Sequence, residues 1–302
     1  MEWLFKVAEQ LSPIIAFWWD KLVSLLNSNF MAALAGAFAG AVVADRIATR
    51  KSKGAEISDA LRNTNSAIAL SGLISNQALV MKGQHVLDLH KDFALEEVRF
   101  EETMRRLQAG EALGPEERVI KTNLAELPEL YVPIDELTAL VFGKVKAGAR
   151  AIGLLIAVQN ALRDLNLSIQ RRNQLCSKFR MTPPEDRVAL YLGLPVEGGR
   201  DETYPQTISH IYQTTNDLAF FAMQLASELQ EHGKKLAKRY AQTFHAQAPH
   251  VNEMKFDTPR ARALMPPEAA YSDYLSMFHR VEAIQADRLF KRLHNRISAL
   301  LG

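Results

Sequence analysis

The chain reads as an all-α protein, with a single transmembrane helix followed by an elongated antiparallel helical bundle with coiled-coil-like seams. Three observations predict this. Phe30 to Ala44 is an unbroken run without charge; the segments beyond it place apolar residues three and four apart over dozens of positions; and the chain offers neither runs of alternating β-branched residues nor Asn-Gly or Asp-Gly hairpin turns. Composition agrees: with 48% apolar and 23% charged residues, the 302-residue chain is too apolar for a disordered polymer. Its 36 Lys plus Arg against 34 Asp plus Glu leave a formal net charge of +2, which argues against specific nucleic acid as a partner. The single cysteine, Cys176, excludes an internal disulfide scaffold.

Residues 1–27 come first and are expected to form an amphipathic interfacial helix. Leu4, Val7, Leu11, Ile14, Trp18, Leu22 and Leu25 make one apolar stripe, and Trp3, Trp18 and Trp19 supply rings suited to a headgroup boundary. A core helix of a soluble domain passes the same amphipathic test. A cleaved signal peptide fits less well, because the region before the apolar run is long and lacks a basic start. Inserting Pro13 to Leu26 as a second span would bury Asp20 and Lys21 near mid-membrane, at a cost of several kcal/mol.

Residues 28–47 are read as the transmembrane helix. The uncharged run covers only about 22 Å of a hydrocarbon core of roughly 30 Å, so flanking residues must help. Arg46, Arg50, Lys51 and Lys53 follow at once, and residues 48–54 are expected to be a basic juxtamembrane linker touching lipid headgroups. Positive-inside counting then places the amino terminus outside and the body in the cytoplasm, at an inner (plasma) membrane. Ala32, Gly36, Gly40 and Ala44 recur every four residues, the small-xxx-small spacing through which membrane helices self-associate.

Residues 55–302 form the predicted cytoplasmic bundle. A first helix, about 55–108, carries Ile57, Leu61, Ile68, Ile74 and Leu79 on a seam interrupted by Asn63, Asn65, Ser66, Ser71, Ser75 and Asn76, polar groups that must find hydrogen bonds and commonly set register. A second, about 134–178, has a heptad seam of Ile152, Leu155, Gln159, Leu162, Asn166, Ile169, Asn173 and Cys176, with Gly148 as its weak point. A third, about 204–244, repeats the spacing from Ile208 through Leu229 to Arg239, and a fourth, about 267–301, closes the set. Breaks fall at 110–133, 194–205 and 247–267, and Pro115 and Pro184 each sit at a first helical position followed by acids. Four such helices suggest a bundle on the order of 60 Å long.

The chemistry-bearing motifs are few. Phosphate loops, GxGxxG, GxSxG, HExxH and paired CxxC are all missing from the sequence. The nearest metal constellation is Glu228 and His232 with His279 and Glu282, whose order departs from the Glu-x-x-His step of bundle metal sites, so metal and cofactor are both expected to be none. His85 and His90 lie five apart and do not share a helical face. Arg171 and Arg172 near a helix end are read as complementing its dipole before any phosphate-binding role. Lys234, Lys235, Lys238 and Arg239, with Arg288, Lys291, Arg292 and Arg296, make basic faces that usually stay solvated.

The expectation is therefore a non-enzymatic, single-pass, membrane-anchored interaction or scaffolding protein. Its partners would be the lipid bilayer, a second copy through the transmembrane helix, and an unidentified protein through the bundle. Two alternatives stand beside it: an oligomerising effector that permeabilises the bilayer, and an enzyme with a polar or metal site in the bundle.

Overall fold

The structure is a computed structural model describing residues 13, 17–21, 29–114, 116, 119–196 and 199–277. Two compact units divide at Asp59 and Ala60. In the first, residues 17–21 are helical, and α1 (Asn29–Met81) begins at the apolar run and continues into the second unit.

Among the described residues no helix is long and apolar enough to cross a membrane, which overturns the transmembrane reading of residues 28–47. The physical reason lies in the flanks: the uncharged run ends at Asp45 and Arg46, and the residues after it, through the basic group at 46–53, stay helical as part of α1. The stretch that would have to lie in hydrocarbon is too short: extending it toward the carboxyl end brings in Asp45 and Arg46, and extending it the other way brings in the polar Asn29, Ser28 and Asn27. The single-pass placement at an inner membrane falls with the span, because counting Lys and Arg on two sides presupposes one. Residues 48–54 are helical rather than a linker.

The second unit is built on three long helical stretches. The first is the remainder of α1, a π-helical turn at Lys82–Val86, and α2 (Leu87–Gln108). After an extended segment come α3 (Ile134–Leu140), a second π turn at Val141–Val145 and α4 (Ala149–Met181). The expected helix over 134–178 thus breaks around Gly148, where Lys146 takes a left-handed φ of 52° and Gly148 becomes the extended N-cap of α4. Helix α5 (Pro184–Leu192) starts on its proline, as the acids after Pro184 predict, and ends on left-handed Gly193. A two-residue antiparallel pair, β1 (Pro195–Val196) with β2 (Gly199–Arg200), leads into α6 (Thr203–Phe244), whose bounds match expectation within a residue. Helix α7 (Pro259–Leu264) is capped by the Thr258 hydroxyl, and a 3-10 turn at Glu268–Tyr271 continues as helix through 272–277. The rest of the expected fourth helix, from 278 on, lies outside the described residues.

Helices α4 and α6 are antiparallel. Arg150 pairs with Glu228 at 3.3 Å near one end, and Phe179 packs on Tyr204 with ring centroids 5.2 Å apart near the other. The α1–α2 stretch also runs antiparallel to α6: Ser75 donates to the Ala219 carbonyl at 2.9 Å, His90 stacks on Tyr212, and Phe93 meets Tyr204. Between them lie Ile68, Ile74, Leu155, Leu162, Ile169, Ile211, Leu218 and Leu225, all buried. Fully burying such a side chain contributes about 1.5–3 kcal/mol, so the three stretches hold together by their apolar faces.

The α6 seam from Ile208 to Leu229 is buried as its spacing predicts. On α4 one row is displaced. Leu155, Leu162, Ile169 and Cys176 face the core, but the second core row is Val158, Leu165, Arg172 and Phe179, each one residue before the expected Gln159, Asn166 and Asn173 row or its continuation. The polar row is left facing elsewhere.

Candidate functional site

What that polar row faces is the extended segment between α2 and α3. Residues 121–133 form a strap along α4, antiparallel to it. Asn173 accepts from the Leu127 N–H at 3.0 Å and donates to the Leu127 carbonyl at 2.8 Å. One heptad earlier, Asn166 accepts from the Leu130 N–H at 2.9 Å and donates to its carbonyl at 3.0 Å. A carboxamide carries one acceptor and two donors, so each asparagine closes a two-bond ring with one residue of backbone, as a neighbouring strand would. One heptad on, Arg180 donates to the Leu124 carbonyl at 2.8 Å and pairs with Glu126.

The spacing follows from geometry. Seven helical residues rise about 10.5 Å. Three extended residues span about 10 Å. Rungs at 166, 173 and 180 therefore meet backbone at 130, 127 and 124. At the next rung the strap has ended at Pro133, which has no N–H, and Gln159 instead donates to the Thr138 hydroxyl of α3 at 2.9 Å.

Arg172 anchors the strap from inside. It is wholly buried, donates to the Ala125 carbonyl at 2.6 Å and to the Asn123 carbonyl at 2.9 Å, and lies over the Tyr204 ring. Tyr204 donates to the same Asn123 carbonyl at 3.2 Å, while the Asn123 N–H donates to the Tyr191 hydroxyl at 3.3 Å. The two tyrosine rings stand 4.7 Å apart. Burial pushes both phenols, and the Cys176 thiol, above their ordinary values, so all three stay protonated at neutral pH. Protonated, the two phenols keep the hydrogen bonds that tie them to the Asn123 backbone.

A second strap, extended over residues 250–258 and continued by α7 to Leu264, follows α1 and the π turn after it. Asn65 donates to the His250 carbonyl at 2.8 Å and accepts from the Asn252 N–H at 2.9 Å. Three glycines make room for it. A Cβ on Gly72 would meet Met254 Cε at 2.0 Å, one on Gly83 would meet Leu264 Cδ1 at 2.9 Å, and one on Gly233 of α6 would meet Val251 Cγ1 at 2.8 Å. At the far end the Lys82 ammonium donates to the Leu264 carbonyl and lies over the Tyr212 ring. Lys82 is buried in the first π turn, and among the described residues it has no carboxylate partner; burial lowers its pKa.

This sets the sign of a pH effect. A lysine whose folded pKa is depressed binds fewer protons in the native state than in the unfolded chain, so its penalty is relieved as pH rises through the folded value toward about 10.4. Cys176 and the buried tyrosines pull the opposite way, losing stability as pH rises through their unfolded values. The Lys82→Met variant isolates the lysine. Relative to the original chain, its stability should fall as pH rises from about 8 toward about 10, because the original chain alone gains as the lysine penalty is relieved, whatever offset the lost Leu264 hydrogen bond adds at every pH. Urea unfolding at several pH values checks this, and a pH-independent difference would contradict it.

The residues singled out from sequence fare unevenly. Glu228 is paired with Arg150 and His232 Nε2 lies 3.1 Å from the Val145 carbonyl, while His279 and Glu282 fall outside the described residues. Among the described residues no three His, Cys, Asp or Glu side chains gather as a metal site. Apart from the adjacent turns of their own helix, nothing among the described residues stands within 4 Å of a Cβ placed on Gly36 or Gly40, and Ala44, Arg46, Arg50, Lys51 and Lys53 are exposed. The Ala32 side chain and Trp3 lie outside the described set; Trp18 and Trp19 are two-thirds exposed. Comparison with protein-family models, with curated proteins and with solved structures finds no match for the chain.

Proposed function

We propose that the chain is a non-enzymatic helical interaction or scaffolding module, a framework that fixes its own extended straps and presents α2 to a protein partner. The observation that carries this reading is where the half-buried and buried polar groups point. Asn65, Asn166, Arg172 and Asn173 each hydrogen-bond the chain's own backbone, an arrangement that rigidifies a surface rather than prepares a reaction. Leu95 and Val98, one turn apart on α2, are 67% and 65% exposed among Lys91, Asp92 and Glu102, an apolar step with a charged rim. Interaction surfaces commonly have this anatomy.

The test is a photoreactive residue at Leu95 or at Val98, activated in cells making the full chain. The expected result is one or a few discrete adducts, identified by mass spectrometry, that disappear when the neighbouring apolar residue becomes glutamate. Adducts to the chain itself would make the scaffold self-assembling. Uncrosslinked chain alone at both positions would remove the reading.

A further inference from the structure

The cleft between α4 and α6 is covered along part of its length. Tyr271 stacks on Phe220 at 3.8 Å and donates to Asp217, and Tyr274 donates to the Gly153 carbonyl at 3.3 Å. Toward the amino-terminal end of α6 the cleft is open and forms a cavity of ≈ 460 Å³, within the range of small-molecule sites. Its walls differ from those of an apolar pocket: every lining residue except Pro205 carries a hydrogen-bonding side chain, and none is a carboxylate.

The polar groups are sorted by depth. At the floor, Ser168 and Thr207 are buried, and each hydroxyl donates back into its own helix, to the Asp164 carbonyl at 2.7 Å and the Thr203 carbonyl at 2.6 Å. With their hydrogens used, these oxygens offer lone pairs and so accept from a ligand. At the rim stand the exposed Arg171 guanidinium, His210 and the Gln213 amide, with cationic or donor character. The N-cap residue of α6 beside it is Glu202, whose carboxylate accepts from the lining Gln206 amide at 3.2 Å, so the positive charge of the rim rests on Arg171 rather than on the helix terminus. The neighbouring Asp201 carboxylate accepts from the Thr203 N–H at 3.0 Å.

An acceptor floor beneath a cationic rim suits a molecule that brings hydroxyl donors at one end and a negative group at the other. We propose that the open end of the α4–α6 cleft binds a small hydroxylated anion of the polyol phosphate class. Inorganic phosphate would engage only the rim, and a neutral polyol only the floor.

Three probes separate these contributions by calorimetric titration of the full chain: glycerol 3-phosphate, inorganic phosphate and glycerol. Glycerol 3-phosphate should bind saturably and about tenfold more tightly than inorganic phosphate, with glycerol alone weaker than either. Arg171→Gln, at an exposed position, should lower the affinity of both phosphate probes about tenfold or more. Arg163→Gln, on the same helix but outside the cavity, should change neither; circular dichroism confirms that both variants are folded. Failure of glycerol 3-phosphate to saturate, equal affinity for glycerol 3-phosphate and inorganic phosphate, or an unchanged affinity in Arg171→Gln would each overturn the proposal.

Discussion

Replacing Arg172 with methionine should lower the stability of the body by about 3 kcal/mol and release residues 121–130 from α4. The guanidinium fork satisfies two carbonyls, at Ala125 and Asn123, and nothing in a methionine side chain can donate to either. Methionine fills much of the vacated space and removes a buried charge, which is why the expected loss is not larger. Arg172→Lys should recover little, because one ammonium cannot reproduce two parallel donors at fixed spacing. Urea unfolding would show a lower midpoint with an unchanged slope, and hydrogen exchange should quicken at Leu127 and Leu130 before the rest of the body. An unchanged midpoint would mean that the strap is held by its leucines and asparagines alone.

Gly233→Ala should destabilise by about 1–2 kcal/mol even though alanine favours an exposed helix by about 1 kcal/mol over glycine. The added Cβ would sit 2.8 Å from Val251 Cγ1 and 3.4 Å from Thr64 Cγ2. Val251 is β-branched and cannot swing aside, and its backbone is held on both sides by the Asn65 bonds to His250 and Asn252. Removing the obstructing atoms should therefore reverse the sign. In Val251→Ala, the Gly233→Ala change should become neutral or stabilising, a coupling of at least about 1 kcal/mol in a double-mutant cycle. Additive effects would show that the second strap can move away from α6 freely.

The sequence shows the long helices of the body clearly, because their apolar spacing repeats over many turns. The α6 seam can be read residue by residue from Ile208 to Leu229, though not on to the exposed Arg239, and Gly148 was legible as a weak point in one helix but not as the break that the structure has there. The α4 seam was half legible. Gln159, Asn166 and Asn173 keep perfect heptad spacing, yet that spacing serves a backbone strap rather than a partner helix, and the core row is Val158, Leu165, Arg172 and Phe179. Periodicity alone does not separate two rows one residue, about 100°, apart. The cue lay in residue type: asparagine and glutamine at three successive heptads is an odd choice for a core and a natural one for reading peptide groups. Arg172 was misread because its proximity to a helix end offered a sufficient reason for a cation, while its burial depends on Asn123 and Ala125, distant in sequence. The expected span failed at its length, since only fifteen residues, Phe30 to Ala44, lie between the polar Asn27, Ser28 and Asn29 and the charged Asp45 and Arg46, where a span needs about twenty.

The unequal rise per residue of α4 and of the strap along it makes the pair behave like two rulers in different units whose major marks agree. The graduations come every seven residues on one member and every three on the other and cover nearly the same length, so all three coincide together, and a slip of one strap residue, about 3.3 Å, puts every one of them out of line. Lengthening or shortening the chain by one residue between Leu124 and Leu130 cannot be absorbed by sliding: some graduations would align only by throwing the others off. Change in this stretch is thus confined to side chains, while the count of residues is held fixed by the ruler beside it.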